Sequence, residues 1–341
     1  MTAYTIVLDH VEGHEAAALL EGGRLVDFLI AGPGLPMPGT IYRAVAERPM
    51  KGQGGMFLST PDGPAFLRQI KGLSPGQELL VQVTGHAEPG KAIPVTAKLL
   101  FKSRHAIVTP GAPGLNVSRS IRDDDLRDTL LGLARAAGIA PGMGLILRSS
   151  CDGADLDEIA EDIAAMAALA EQVTGDAGTG AAMLLEGDGP HTLAWREWAM
   201  PADVLTAPGG FAAEGVLDQL DALKAARVPL AGGGALWIEP TRALVAVDVN
   251  TGGDTSPAAG QKANFAAARE LPRQLRLRGL GGQVVLDLAP MVKKDRRGFE
   301  TALRAAFRGD GVETALVGWT PLGHYELQRK RDRRALSEVL T

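Results

Sequence analysis

The sequence has a single cysteine, few aromatic residues and no long apolar run, and each shortage excludes a class of protein. One cysteine, Cys151, excludes an internal disulfide and any multi-cysteine zinc site within one chain. No apolar run reaches the ~18–20 residues of a transmembrane helix, so no membrane partner is expected. The N-terminus lacks a basic stretch followed by an apolar one, which argues against a signal peptide. A cytoplasmic location is therefore predicted.

The charge of the chain is unevenly distributed. A net charge of −5 argues mildly against a nucleic-acid partner, yet residues 262–334 contain sixteen Lys or Arg against eight Asp or Glu. This basic tract predicts phosphate binding, with Arg276, Arg278, Lys293 and Lys294 as candidate nucleic-acid contacts. The alternative is that these charges only keep a helix face solvated.

The first hundred residues are typical of β-structure. Residues 1–31 alternate apolar and polar positions, which predicts strands of a mixed or antiparallel sheet, and the Pro/Gly stretch 32–39 is a candidate boundary. Short strand-like runs between residues 40 and 100 favour a small β-barrel. Phe66 and the Met56-Phe57 pair either stack on bases or fill the barrel core.

Helical patterns follow. DDDLRDTLLGLARAAG and DLDEIAEDIAAMAALAEQV are amphipathic, with acidic residues at their starts. QKANFAAARELPRQLRLRGLGG, residues 261–282, predicts a helix stopped by glycines, although Pro272 is expected to kink or interrupt it.

Two apolar strand-like runs each end in an aspartate. Asp248 follows LVAV and Asp287 follows VVL, so two carboxylates meet at one sheet edge if these strands are neighbours. Asn250 points to the same side as Asp248 in an extended chain. Oxygen ligands with no histidine nearby favour Mg²⁺, or Mn²⁺, over zinc. Such a site beside basic residues suits phosphodiester hydrolysis. The alternative is that either aspartate merely starts a turn.

Three segments of the C-terminal third are the most distinctive in the chain: ALVAVDVNTGG (243–253), RQLRLRGLGGQVVLDLAPM (273–291) and LVGWTPLGHYELQRKR (316–331). They resemble segments of the ribonuclease E/G family. GQELLVQV (76–83) is similar to the S1 barrel of that family, and MGLILRSS (143–150) to its 5′-sensor region. The resemblance covers most of the chain.

The resemblance implies a multi-subdomain α/β fold. Residues 1–38 and 175–235 would form a ribonuclease H-like subdomain, and residues 236–341 a deoxyribonuclease I-like catalytic subdomain. An S1-like (OB-fold) RNA-binding barrel would occupy residues 39–100, with a 5′-sensor-like region at residues 101–174.

The resemblance also implies roles for individual residues. Asp248 and Asp287 match the metal ligands and catalytic residues, and Asn250 matches the residue that positions them and the scissile phosphate. Arg148 and Ser149 stand where the family grips a 5′-monophosphate.

In the barrel, Phe66 and Lys91 align with residues that contact RNA, and Met56 stands at an aromatic position. Three departures accompany these matches. An arginine that braces the 5′ pocket falls on Glu313, and a glycine of the pocket falls on Ser103. The paired cysteines that join subunits through zinc are absent, so no zinc and no zinc-linked dimer are expected, but a monomer or weak homodimer.

The function implied is a Mg²⁺-dependent endoribonuclease that cleaves single-stranded RNA to 3′-hydroxyl and 5′-phosphate ends, in RNA processing or decay. One alternative is an RNA-binding protein of the same fold with weak or no cleavage, which the altered 5′ pocket favours. Another is a Mg²⁺ phosphatase acting on small molecules, which would leave the barrel and the basic tract unexplained.

Overall fold

The computed structural model describes residues 3–34, 36–50, 54–68, 72–88, 90–256 and 258–340. The chain divides into two compact units, a first formed by Met1–Pro33 with Ala202–Thr341 and a second formed by Gly34–Pro201. Both units mix helices and strands, as the α/β class predicts. Across the described ranges, no helix is both long and apolar enough to cross a membrane.

The elements are numbered in chain order. The strands are β1 (Tyr4–Val11), β2 (His14–Glu21), β3 (Arg24–Ile30), β4 (Ile41–Met50), β5 (Gly55–Thr60), β6 (Gly63–Leu67), β7 (Glu78–Val83), β8 (Ile93–Thr96), β9 (Phe101–Lys102), β10 (Ala106–Pro110), β11 (Gly114–Val117), β12 (Met143–Leu147), β13 (Ala182–Leu185), β14 (Asp203–Leu205), β15 (Arg227–Pro229), β16 (Ala235–Pro240), β17 (Val245–Asn250), β18 (Gly282–Asp287), β19 (Thr314–Trp319) and β20 (Tyr325–Arg329). The helices are α1 (Asp124–Ala136), α2 (Leu156–Thr174), α3 (Pro190–Glu197), α4 (Gly210–Ala213), α5 (Val216–Ala222), α6 (Ala259–Leu277) and α7 (Arg296–Arg308).

The N-terminal strands belong to the first unit. β1, β2 and β3 form an antiparallel meander, and β14 lies parallel beside β1. The buried side chains of this sheet pack with Phe211 and Val216 from α4 and α5. The strands predicted within residues 1–31 are therefore confirmed. The stretch 175–235 was expected to join these strands, but it is divided among three sheets. β14 pairs with β1 of this sheet, whereas β13 pairs with β4 and β15 pairs with β16.

The second unit contains a closed barrel. β4, β5, β6, β8 and β7 follow one another around it, and pairing of β4 with β7 closes it. Inward-facing side chains such as Tyr42 and Leu58 are buried in its core. Gly55 makes room for the ring of Phe66 on the adjacent strand, since a Cβ at this glycine would collide with that ring. The small barrel predicted between residues 39 and 100 is confirmed and is consistent with an OB-fold.

A second sheet of this unit has the order β11-β12-β10-β9 and packs against α1 and α2. Both helices begin at an aspartate that satisfies a free backbone amide. Asp123 accepts a hydrogen bond from the amide of Leu126 at 3.0 Å, and Asp155 accepts one from the amide of Asp157 at 2.8 Å. The two helices predicted for this region are confirmed.

The C-terminal sheet of the first unit has the order β15-β16-β17-β18-β20-β19. β17 and β18 are parallel and are joined by α6, while the remaining pairs are antiparallel. One face packs on α6 and α7 through residues such as Val247, Leu286 and Phe299. α6 continues through Pro272, so the predicted interruption does not occur. The opposite face carries the polar side chains.

Candidate active site

Two aspartates lie side by side on the polar face of the C-terminal sheet. Asp248 of β17 and Asp287 of β18 are direct partners in the parallel ladder. Strand alternation explains their direction, because the preceding residues, Val247 and Leu286, are buried in the core. Both aspartates are exposed, and the side chain of Asp287 is 69% accessible. The two strands are therefore neighbours, which is the condition on which the sequence hypothesis of a carboxylate pair depended.

The local electrostatics favour a cation between these carboxylates. Partial burial raises the pKa of Asp248, and the negative charges of Asp287 and Glu239 raise it further. Glu239 lies on the neighbouring strand β16, opposite Ala246. A bound cation would offset the repulsion among these acids.

The donor set fits a hard divalent ion. Mg²⁺ commonly binds through one or two carboxylates and completes its coordination with waters and substrate phosphates. Among the described residues, no group of three or more His, Cys, Asp or Glu side chains is arranged to hold a metal ion. Two exposed carboxylates are a donor set that Mg²⁺ or Mn²⁺ can use together with waters and substrate phosphates.

Asn250 is the last residue of β17 and shares the exposed face with Asp248. Its Oδ1 accepts a hydrogen bond from the amide of Gly252 at 3.2 Å, which fixes the turn after the strand. Gly234 packs closely against this turn, since a Cβ there would lie 2.6 Å from the carbonyl oxygen of Asn250. The carboxamide is thus held on the same face as the aspartate pair.

A histidine lies beside the pair, and the expectation of no histidine nearby was wrong. The Nε2 of His324 is 3.7 Å from Oδ1 of Asp287. His324 directly precedes Tyr325, which pairs with Leu286 one residue before the aspartate. The contact arises from pairing of β18 with β20, so no pattern around either residue in the sequence indicates it.

Two residues of α6 hold the segment that follows Asp287. Asn264 is fully buried; its Nδ2 donates to the carbonyl of Ala289 at 2.9 Å, and its Oδ1 accepts from the amide of Ala289 at 3.0 Å. Gly260 lies so close to the backbone of Pro290 that a Cβ would collide with it. Sequence reasoning missed both residues. The signal for Asn264 was a polar residue on the apolar face of an amphipathic helix.

Two predicted nucleic-acid contacts are instead structural. Arg276 pairs with Asp310, and its Nη2 donates to the carbonyl of Val26 at 2.7 Å. Arg278 is buried, and its Nε donates to Oε1 of Gln274 at 3.1 Å. These guanidinium groups are engaged inside the first unit, so the prediction that they contact RNA was wrong.

The predicted lysine contacts are on the surface. Lys293 and Lys294 are exposed in the short 3₁₀ turn Lys293–Asp295, which follows the segment after β18. Lys91, in the second unit, is exposed and its Nζ lies 2.8 Å from Oε2 of Glu88. All three are accessible to an anionic ligand, and their role in RNA binding stays a prediction.

The barrel presents an aromatic pair. The rings of Phe57 and Phe66 lie on adjacent strands with centroids 5.1 Å apart, and the guanidinium of Arg48 lies 5.0 Å from the Phe57 centroid. Both rings are half-buried and can offer a partial stacking surface. Met56, which stands at an aromatic position of the family, is only 3% exposed and belongs to the barrel core. Its side chain is therefore not accessible to a base.

The predicted 5′-phosphate pair lies in the second unit. Arg148 donates from Nη1 to the carbonyl of Ser103 at 2.6 Å and from Nη2 to the carboxylate of Glu197. Ser149 is exposed beside it in the turn Ser149–Cys151. The carboxylate of Glu197 therefore already accepts a hydrogen bond that Arg148 would otherwise donate to a phosphate. Glu313, expected near this pocket, belongs to the first unit, and its proximity to Arg148 stays a prediction.

The chain is similar in sequence to known proteins over most of its length. The family model described as the ribonuclease E/G family matches residues 101–198 and 206–332. Ribonuclease E of Nostoc sp. is 28% identical over 387 residues, covering 96% of this chain and 56% of that protein. Ribonuclease G of Escherichia coli (strain K12) is 28% identical over 308 residues, covering 78% of this chain and 62% of that protein.

This chain spans little more than half the length of these curated relatives. The second matched segment, residues 206–332, includes the sheet that carries the aspartate pair and the lysine turn. Since the two matched segments together cover more than half of the chain, it belongs to the ribonuclease E/G family.

Proposed function

We propose that this chain is a divalent-metal-dependent endoribonuclease that cleaves single-stranded RNA to 3′-hydroxyl and 5′-phosphate ends. The observation that carries the proposal is the register pairing of Asp248 with Asp287 on an exposed sheet face. Family membership, with relatives named ribonuclease E and ribonuclease G, supports RNA as the substrate.

Each residue of the site has a proposed part. Asp248 and Asp287 would hold Mg²⁺ or Mn²⁺, which when bound supplies Lewis-acid activation of the phosphodiester and of the attacking water. Asn250 would position the scissile phosphate by donating its amide to a phosphate oxygen, because a carboxamide adds no negative charge there. Lys293 and Lys294 would neutralise phosphates of the bound strand.

The preference for single strands rests on the barrel. An aromatic pair such as Phe57 and Phe66 can stack on unpaired bases, whereas the bases of a duplex are stacked on one another. We further propose that the sheet of β1–β3 with β14 is the ribonuclease H-like part. The barrel would correspond to the S1 domain, the α1/α2 sheet to the 5′ sensor, and the C-terminal sheet to the deoxyribonuclease I-like part.

The test compares Asp287→Asn with wild type on labelled single-stranded RNA, with Mg²⁺, with Mn²⁺ and with excess chelator. Loss of one ligand should reduce cleavage at least about a hundredfold, since a catalytic metal supplies several kcal/mol of transition-state stabilisation. RNA binding should remain, because the side chain of Asp287 is exposed and asparagine keeps its size. Asp221→Asn is the matched control, since it removes the charge of another exposed aspartate, one that lies beside Lys224 and away from the aspartate pair.

The outcomes separate the alternatives. Full cleavage by Asp287→Asn, or by wild type in chelator, would refute the metal mechanism. Binding of RNA without cleavage by wild type would indicate an RNA-binding protein that has lost catalysis. Hydrolysis of a small phosphate ester in place of RNA would indicate a phosphatase.

A further inference from the structure

Five side chains form one row across the polar face of the C-terminal sheet. Arg227 on β15 pairs with Trp237 on β16, Trp237 pairs with Asp248 on β17, and Asp248 pairs with Asp287 on β18. His324, just before β20, completes the row at 3.7 Å from Asp287. Directly paired residues project to the same face of a sheet, so a cation, an aromatic ring, two carboxylates and an imidazole lie in sequence.

Trp237 is the least expected member of this row. It is 39% exposed, although its neighbours Leu236 and Ile238 are buried in the core. A tryptophan has high strand propensity, which suits this position in β16. Its exposed part offers an aromatic face on which an unpaired base can stack, next to the carboxylate and the arginine with which it is paired.

The spacing of the row suits a single nucleic-acid strand. Trp237 lies one strand away from Asp248 and Arg227 lies two strands away, both on the side opposite Asp287. Neighbouring strands of a sheet are about 4.8 Å apart. A phosphate at the carboxylate pair would place an adjacent nucleotide over Trp237. The next phosphate would then come near the guanidinium of Arg227.

We propose that the polar face is an RNA track running across the strands, in which Trp237 stacks on an unpaired base beside the scissile phosphate and Arg227 contacts the following phosphate. His324 borders the track on the other side of the aspartate pair. This inference rests on the proposed ribonuclease function and adds the determinants of strand placement at that site. It predicts that a base, and not only a phosphate, is recognised next to the cleavage point.

The experiment measures binding in the Asp287→Asn background, so that affinity is read without cleavage. Each single-stranded RNA oligomer of the series carries one abasic nucleotide, and the position of this nucleotide differs from one oligomer to the next. With Trp237 present, one abasic position should weaken binding by about 5- to 150-fold, the range for loss of one base–aromatic stack. In Trp237→Ala the same position should have no effect, and Trp237→Phe should restore it. A purely structural role would not depend on the abasic position.

Trp195→Ala is the matched control, because Trp195 is also exposed but belongs to the second unit. It should leave the abasic profile unchanged. Arg227→Gln should lower the salt dependence of binding by about 0.7 in log K per log salt, the value for one phosphate contact on a single strand.

An abasic profile that is the same with Trp237 and with Ala at this position would overturn the proposal, as would an unchanged salt slope in Arg227→Gln. Wild-type protein is assayed in parallel for cleavage with Mg²⁺. Absence of cleavage there would count against the ribonuclease function, whereas the binding profile judges the track on its own.

Discussion

Asp310 is the centre of a buried ion network in the first unit. Its side chain is 0% exposed and contacts the guanidinium groups of both Arg276 and Arg329. Arg329, on β20, is 1% exposed at its side chain and also donates to Oγ1 of Thr314 at 2.8 Å. Since β20 pairs with β18, this network supports the strand that carries the proposed ligand Asp287.

Asp310→Asn keeps the size of the side chain and removes its charge. Removing one partner of a buried ion pair costs about 3–5 kcal/mol, because the remaining charge stays in the interior uncompensated. Arg276 is 16% exposed and lies 3.6 Å from Asp27, so part of its charge stays compensated. Arg329 has no such relief from exposure. We therefore expect the lower end of the range, about 3 kcal/mol of lost stability.

Hydrogen exchange followed by mass spectrometry is the assay, because the two units need not unfold together and the method resolves each one. Amides of β18 and β20 should lose about 3 kcal/mol of protection, while those of the barrel should not change. Asp332→Asn is the control, since its pair with Lys330 is solvent-exposed and contributes about 0–1 kcal/mol. Equal effects of the two substitutions would refute the view that Asp310 compensates buried charge.

Further predictions concern binding and reactivity. Glu197→Gln should release Arg148 from its ion pair and raise the preference for 5′-monophosphate over 5′-hydroxyl RNA about two- to fivefold, a gain limited by solvent screening. The gain should be absent when Arg148→Ala is also present, and an unchanged ratio of the two cleavage rates would contradict the prediction. Log K for RNA should fall with log salt, and replacing Lys293 and Lys294 by Ala should reduce the slope by at most about 1.4. Burial raises the pKa of Cys151 to about 11, so native alkylation at pH 8 should be about a hundredfold slower than for an exposed thiol. Rapid labelling would show that the thiol is accessible.

Local patterns were sufficient for much of the fold. The helices α1 and α2 follow from amphipathic spacing and from Asp123 and Asp155 at their starts, since a cap acts within one helical turn. The barrel follows from short alternating strands, because alternation alone decides which side chains face a core. The placement of Asp248 beside Asp287 follows from two apolar strands joined by one helix, a connection that favours parallel neighbours.

Only the tertiary structure decided which charges are available to a ligand. By sequence alone, Arg276 and Lys293 belong to one basic tract, yet the first is held by Asp310 and the second faces solvent. Ion pairs and strand pairs connect residues that are distant in the chain, and the ion pair between Arg333 and Asp27 is an example. The alternation of polar and apolar residues along the sequence does not indicate such partners. The sequence by itself therefore determined most of the helices and strands, the two candidate aspartates and the family resemblance. The tertiary structure decided the burial of the arginines, the approach of His324 and the row containing Trp237, because these depend on which strands become neighbours.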